Sequence, residues 1–432
     1  METDINQKIC LEVKNIIENV SIEYDKIWRK RSRKIDSKFL INFIFQLVLN
    51  SKKGYSIILS ELWDDYMNKK IAPPQKDAYS ISSICEARQK LPEEIFKIIN
   101  AKILVVFKNI ENTSSLKNHR VFAVDGSKIS LKKRLENDNY KKFNSKAYYP
   151  SGLLSCLYNV DSHLIHDFTF TKSFSERDRA LEHIEKLEEN DVVIFDRGYF
   201  SYLLMRKIKD QNAHGIFRLQ RNLRNKSLLE FLNSKETDTV IDYIPSKVVQ
   251  YDLKKIGHDI DFSAIKLRIV KEIIEGKEYI FATTLIGSEY KEEIFGNLYH
   301  KRWDIEELYK VSKVLLNIEE LHSKMERGVK QEIYAHFVLI NIARFFEISG
   351  MLNSNNSSNT RMNFKGCILG VSRYISDLLF SSCADVIIII DRIFKFISKM
   401  RYKDRPKRKY PRISYKPRKV WGVGRDTIIN AA

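Results

Sequence analysis

ERDRALEHIEKLEENDVVIFDRGYF, residues 176–200, decides the fold. Glu176 to Leu187 is a clear helical stretch, and Val192 to Phe195 is a short apolar run suited to a buried strand that stops on Asp196. Gly198 suits a tight turn into a second helix, Phe200 to Lys209. Working outward, VFAVDGS (Val121 to Ser127) reads as another buried strand that stops on an acid, Asp125. Val121 to Val124, Leu153 to Val160 and Leu164 to Phe170 read as three successive antiparallel strands. Three strands, a helix, a strand and a helix predict an α/β domain on a mixed sheet, with Asp125 on the first strand and Asp196 at the end of the fourth.

A third acid comes from YHKRWDIEELYKVSK, residues 299–313, which reads as a helix. Tyr299, Arg302, Glu306 and Lys313 are spaced i, i+3, i+7 and i+14. At about 100° per residue they fall within an arc of about 60°. Asp304 and Glu307 point well off that face. One face then presents a phenol, a guanidinium, a carboxylate and an ammonium, a set that suits an anionic substrate beside a metal. An ordinary solvated face with i,i+4 pairs reads the same way. Two Asp at strand ends and a Glu from a later helix match the oxygen ligands of a two-metal phosphoryl-transfer site.

The pattern Tyr-(2)-Arg-(3)-Glu-(6)-Lys, preceded by Asp-Gly-Ser and Asp-Arg-Gly-Tyr strands, resembles the DDE transposases of the insertion-sequence-four family. SISSICEARQKL (80–91), AYYPSGLLSCLYNV (147–160), ERDRALEHIEKL (176–187) and RPKRKYPRISYKPRKVW (405–421) extend the likeness over nearly the whole chain. The resemblance implies a ribonuclease H-like catalytic core with a β-rich insertion. It implies Asp125, Asp196 and Glu306 as catalytic metal ligands for two Mg²⁺ ions, with Mn²⁺ able to substitute. It implies cut-and-paste transposition, by cleavage and strand transfer at the ends of the element and into target double-stranded DNA. A homodimer on paired ends and a cytoplasmic, nucleoid-associated place in a prokaryote follow from the same likeness. Tyr299, Arg302 and Lys313 would contact DNA phosphates, and Arg197 and Tyr199 would contact DNA or support the metal ligands. Relatives stack a Trp on a flipped base, but no Trp lies between Asp196 and Tyr299. That role would pass to Trp303, Tyr243, Tyr251 or Phe281. A nuclease of the same fold that does not join strands, and a domesticated, catalytically silent DNA-binding protein, are the alternatives.

The 432 residues carry a net charge of +19, which favours a polyanionic partner. The apolar run Val386 to Ile390 is far short of the ~20 residues a membrane span needs. The start, METDINQ, lacks the basic and apolar regions of a signal peptide. Cys10, Cys85, Cys156, Cys367 and Cys383 are scattered and read as reduced, mostly buried thiols of a cytosolic protein.

Residues 1–115 read as a helical DNA-binding domain, broken at Pro73-Pro74. The helix carrying Arg88 and Lys90 suits a base-reading element of helix-turn-helix type. Residues 116–398 form the catalytic domain, and its insertion, about 221–277, contains the alternating stretches Val240 to Ile244, Val248 to Leu253 and Ala264 to Val270. Basic residues crowd the approach to it: Arg218, Arg221, Arg224 and Lys226. Asn353 to Asn359 reads as a surface loop, and helices surround it. Residues 399–432 form a basic arm. Residues 399–419 hold eleven Lys or Arg, Arg408 and Arg412 among them, against one Asp, with three Tyr interleaved. Such a segment cannot build a core and suits a phosphate backbone.

Overall fold

The computed structural model describes residues 5–28, 35–69, 77–108, 114–221, 225–258, 260–352 and 360–403. β1 (Val121–Ser130), β2 (Ser151–Asn159) and β3 (Ile165–Thr171) form an antiparallel meander. The chain returns through α6 (Glu176–Ile184) to β4 (Val192–Phe195), parallel to β1, and through α7 (Tyr202–Asp210) to β5 (His214–Arg218), parallel to β4. The four residues of β4 are all buried, as expected of a central parallel strand covered on both faces. Both crossover helices are capped where the sequence supplies a hydroxyl. Ser175 accepts from the Asp178 amide, and Ser201 accepts from the Leu204 amide.

The strand order β3-β2-β1-β4-β5, with β2 antiparallel to its neighbours, is ribonuclease H-like, as the resemblance implied. One detail differs. β1 does not stop on Asp125: its ladder with β2 continues through Ser130↔Ser151, and Asp125 stands mid-strand opposite Cys156. An acid ends an apolar run without ending a hydrogen-bond ladder, so the strand outlasts its hydrophobic signal.

The insertion differs more. β6 (Asp238–Tyr243), β7 (Ile265–Ile274) and β8 (Lys277–Thr283) do not form a unit of their own. β8 pairs antiparallel with β5, so the three strands extend the sheet to eight, in the order β3-β2-β1-β4-β5-β8-β7-β6. Glu275 and Gly276, both at positive φ, close the β7–β8 hairpin. Val248 to Leu253, which alternates like a strand, lies in a helix, α9 (Lys247–Lys255). Ser246 caps it by accepting from the Val249 amide, and none of its residues is buried, so the alternation reports no sheet face. A further helix, α8 (Lys226–Asn233), precedes β6.

Helices α1 (Ile5–Trp28), α2 (Ser37–Leu49), α3 (Tyr55–Asn68), α4 (Ile81–Lys90) and α5 (Glu94–Phe107) precede the sheet. After it come α10 (Glu293–Lys301), α11 (Trp303–Lys310), α12 (Glu326–Leu352), α13 (Phe364–Phe380) and α14 (Cys383–Ser398). α12 packs against α2, α5, α13 and β3, and one apolar core runs from Ile9 to Ile397. The early helices therefore share their core with the late ones and with one face of the sheet. A second core, under α6 and α7, covers the other face. β1 and β4 serve both by strict alternation: Val121, Ala123, Val192 and Ile194 face the first, and Phe122, Val124, Val193 and Phe195 the second.

No helix among the described residues is long and apolar enough to cross a membrane. Cys10, Cys156 and Cys367 are buried and Cys85 is partly so. Pro73-Pro74, Asn353 to Asn359, and Arg408 and Arg412 of the basic arm lie outside the described residues.

Candidate active site

Asp125 sits on β1 with Oδ1 accepting from its neighbour's amide, Gly126, at 2.9 Å. Burial pushes its carboxyl up to about 6. The charges of Glu176 and Glu306 add to that rise, while the Gly126 amide and Arg302 oppose it. Its backbone carbonyl is held by Tyr309 Oη at 2.7 Å and by Ser155 Oγ at 3.3 Å. Behind Ser155 lies a buried relay: His183 joins Ser155 Oγ at 3.0 Å and Asp167 Oδ2 at 2.8 Å. α6 is thereby tied through the sheet to the strand bearing Asp125.

Asp196 follows β4 directly. It accepts from Tyr299 Oη at 2.7 Å, and Arg218 Nη1 stands 4.0 Å away. Burial alone would raise its carboxyl. The Tyr299 hydroxyl, the Arg197 amide and the charges of Arg302 and Arg218 outweigh burial and hold it below the usual range. Arg218 in turn lies 4.6 Å over the Tyr279 ring and donates to Tyr299 Oη at 3.2 Å.

Glu306 enters from α11. Residues 299–313 do not form one straight helix. The Arg302 amide bonds the Tyr299 carbonyl and the Ile305 amide bonds the Arg302 carbonyl, both three residues back, so the backbone tightens at Arg302 between α10 and α11. Beyond Lys310 the turn widens into a π-helix, Val311–Leu315. The shared face survives for the first three residues. Tyr299 meets Asp196, while Arg302 donates to Glu306 Oε1 at 2.7 Å and to Asp125 Oδ2 at 3.5 Å. The fourth, Lys313, reaches the same strand three residues beyond Asp125, donating to the Lys128 carbonyl at 2.7 Å. Asp304 and Glu307 turn away, Glu307 to Lys310 and Asp304 toward His163.

Arg302 is 4 % exposed, and its Nε has no hydrogen-bond partner among the described residues. Its guanidinium stands between two carboxylates that come from opposite ends of the catalytic region. Among the described residues no group of three His, Cys, Asp or Glu is placed to hold one ion. The donor set is nonetheless entirely oxygen, and a buried Arg serves as its counter-charge. That chemistry fits a hard divalent cation.

Beside Asp196 opens a cleft of about 650 Å³ lined by Arg197, Gly198, Arg218, Arg221 and Tyr279. Arg197 is exposed there, as a DNA contact requires. Of the residues expected to stack on a base, Phe281 is fully buried and Tyr243 half-buried, while Trp303 and Tyr251 are exposed. Tyr279 lines the cleft and was not anticipated. Tyr199 is 2 % exposed and packs inside the core with Phe195, so it is not presented to DNA.

Arg88 overturns its expectation most plainly. It is buried, and its guanidinium bonds Gln331 Oε1 at 3.1 Å, Glu332 Oε1 and the Gly328 carbonyl at 3.0 Å each, and the Tyr55 hydroxyl. Gln331 also donates to the Arg88 and Leu91 carbonyls, closing the end of α4. The partner acid lies 244 residues away, so α4 reads as a basic surface helix in sequence. Lys90, at the end of α4, is exposed. Tyr309 was also missed, although it stands seven residues after Arg302 and so shares its helix face.

A family model for the transposase DDE domain matches residues 116–342. The chain is 22 % identical over 325 residues to the transposase InsG of insertion sequence element IS4 from Escherichia coli K12, covering 73 % of this chain and 70 % of that protein. It is 27 % identical over 169 residues to a protein named for insertion sequence element IS4SA of Synechocystis, covering 39 % and 44 %. Among solved structures it is similar to the piggyBac transposase in a synaptic complex with hairpin DNA, at 10 % identity and a TM-score of 0.45, covering 90 % of this chain and 85 % of that one. The chain belongs to the DDE transposases, in the insertion sequence IS4 family.

Proposed function

We propose that Asp125, Asp196 and Glu306 hold two divalent metal ions, Mg²⁺ or in its place Mn²⁺, and that this site cuts and joins DNA at the ends of the element that encodes it. Bound there, the ions would activate the attacking oxygen and neutralise the leaving one. The observation that carries this reading is Arg302, which joins Asp125, 177 residues back along the chain, to Glu306.

The residues around the acids have separable tasks. Tyr299 orients Asp196 through its hydroxyl and leaves one Asp196 oxygen for a ligand. Arg302 offsets the charge of the acids, with one terminal nitrogen on Asp125 and the other on Glu306, and its positive charge stabilises the charge that develops during displacement. Tyr309 and Lys313 fix β1 at and beyond Asp125 by holding the Asp125 and Lys128 carbonyls. Arg197, Arg218 and Arg221 make the cleft beside Asp196 a track for backbone phosphate. Trp303 and Lys90 are exposed and supply contacts elsewhere on the duplex, and the arm bearing Arg408 and Arg412 supplies further charge. The protein acts as a homodimer on paired ends, in the cytoplasm of a prokaryote.

Strand cleavage and strand transfer on an end duplex, with Glu306→Ala beside Asp304→Ala and Glu307→Ala, tests the assignment. Glu306→Ala is expected to lose at least 10³-fold, and the two controls less than tenfold. Equal losses in all three would refute it, and cleavage without joining by the wild type would make the protein a nuclease.

A further inference from the structure

The first turn of α6 brings a fourth carboxylate to the site. We propose that Glu176 holds a divalent cation together with Asp125, an inference that rests on the metal reading above.

Gly126 shows how close Glu176 comes. A Cβ at that position would stand 3.1 Å from Glu176 Cγ, 3.3 Å from its Oε1 and 3.0 Å from Leu153 Cδ1. The Glu176 side chain thus lies close over the backbone of the residue after Asp125, where a Cβ would crowd it. The Asp-Gly pair of β1 and the Glu of α6 are one arrangement.

Tyr199 gives a second, independent sign. It is 2 % exposed, and its hydroxyl lies beside the Glu176 carboxylate, within the field of the Asp125 charge. It makes no hydrogen bond of proper geometry among the described residues. A buried hydroxyl left so costs about 1–3 kcal/mol. This one is aimed into the acids, where a metal-bound water would satisfy it.

The placement is rigid. Arg177, the next residue, donates from Nε to the Gly198 carbonyl at 2.7 Å, which locks the start of α6 to the turn that follows Asp196. Glu176 therefore stands at a fixed place between the strand of the first Asp and the turn of the second. An acid in a first turn also favours the helix dipole. That role alone predicts a small change in stability and none in metal affinity.

Mn²⁺ titration of the full chain without DNA, read by the electron paramagnetic resonance of free Mn²⁺, separates the two. Glu176→Gln should weaken Mn²⁺ binding about 10–100-fold, the range for residues that hold or support a metal. Asp178→Asn, in the same helical turn, should bind as wild type. Glu176→Gln binding as wild type overturns the inference. Asp196→Asn guards the reading beneath it. If Asp196→Asn also binds as wild type, the metal site itself is wrong, whereas loss in Asp196→Asn alone refutes only the role of Glu176. Should Glu176→Gln fail to fold, Gly126→Ala crowds the same side chain. It is expected to weaken Mn²⁺ by a similar factor, and unchanged affinity there overturns the inference equally.

Discussion

Asp125 is held under opposing demands. Burial raises its carboxyl to about 6, yet metal binding requires the ionised form. The folded value lies above the ordinary 3.8, so the folded chain binds the proton more tightly than the unfolded one. Below about pH 4 both states are protonated and the group contributes nothing. Between about pH 4 and 6 folding stability falls as pH rises, and above pH 6 the loss is constant, at about 3 kcal/mol from the shift alone. Asp125→Asn should therefore raise the melting temperature of metal-free protein at pH 8, with the gain vanishing near pH 4. Melts in chelator at both pH values check this, and equal melting at pH 8 contradicts it. Divalent cation should invert the order, stabilising wild type and not the variant.

Arg88 is a residue whose role only the fold reveals. Removing its guanidinium leaves Glu332, itself 3 % exposed, a buried charge held, among the described residues, only by the His322 and Ser323 amides and the His322 ring. Arg88→Ala should cost about 3–5 kcal/mol, the range for breaking a buried ion pair from one side. Denaturant unfolding reads the loss. The folded fraction should keep the wild-type ratio of affinities for end and scrambled duplexes, and a reduced ratio would return Arg88 to base reading.

At the scale of elements, the relay under β1 makes α6 and the catalytic strand one unit. His183→Ala leaves Ser155 and Asp167 without their shared partner in the core. It should cost about 2–4 kcal/mol. Because Ser155 also holds the Asp125 carbonyl, Mn²⁺ affinity should fall with stability. Titration and denaturation of the same variant check the pair, and destabilisation with intact metal binding would show the relay to be a packing device only.

The element order through α7 was legible because its signals are local. Short apolar runs marked strands, and Gly198 marked the turn after Asp196. Asp125, Asp196, Tyr299, Arg302 and Glu306 were legible for the same reason, since an acid closing an apolar run marks the first two and a helical period groups the other three. What failed depended on distant partners. The path of β8 beside β5 is set by pairing across about sixty residues. α9 is the exception, decided by the adjacent Ser246 cap against an alternation that no sheet face uses. The roles of Arg88, Glu176 and Tyr199 follow from packing between separate elements, which no local period encodes.

At the scale of the molecule, the helices before and after the sheet share one core, so the end-reading surface cannot be a detachable N-terminal module. The net charge of +19 supplies long-range attraction to DNA, and the basic arm concentrates it. Removing residues 404–432 should weaken binding to any duplex and flatten the dependence of log affinity on log salt, by about 0.9 for each phosphate the shortened chain no longer neutralises. Binding over a salt series checks this, and an unchanged slope would make the arm a solubilising tail.

Asp125, Asp196 and Glu306, gathered around Arg302, are proposed to hold the metal ions of the reaction. Anomalous diffraction from crystals grown with Mn²⁺ and an end duplex would locate those ions. Two anomalous peaks about 3.5–4 Å apart are expected beside Asp125, Asp196 and Glu306. Peaks elsewhere, or ordered Mn²⁺ that leaves Glu306 bound only to Arg302, would contradict this assignment.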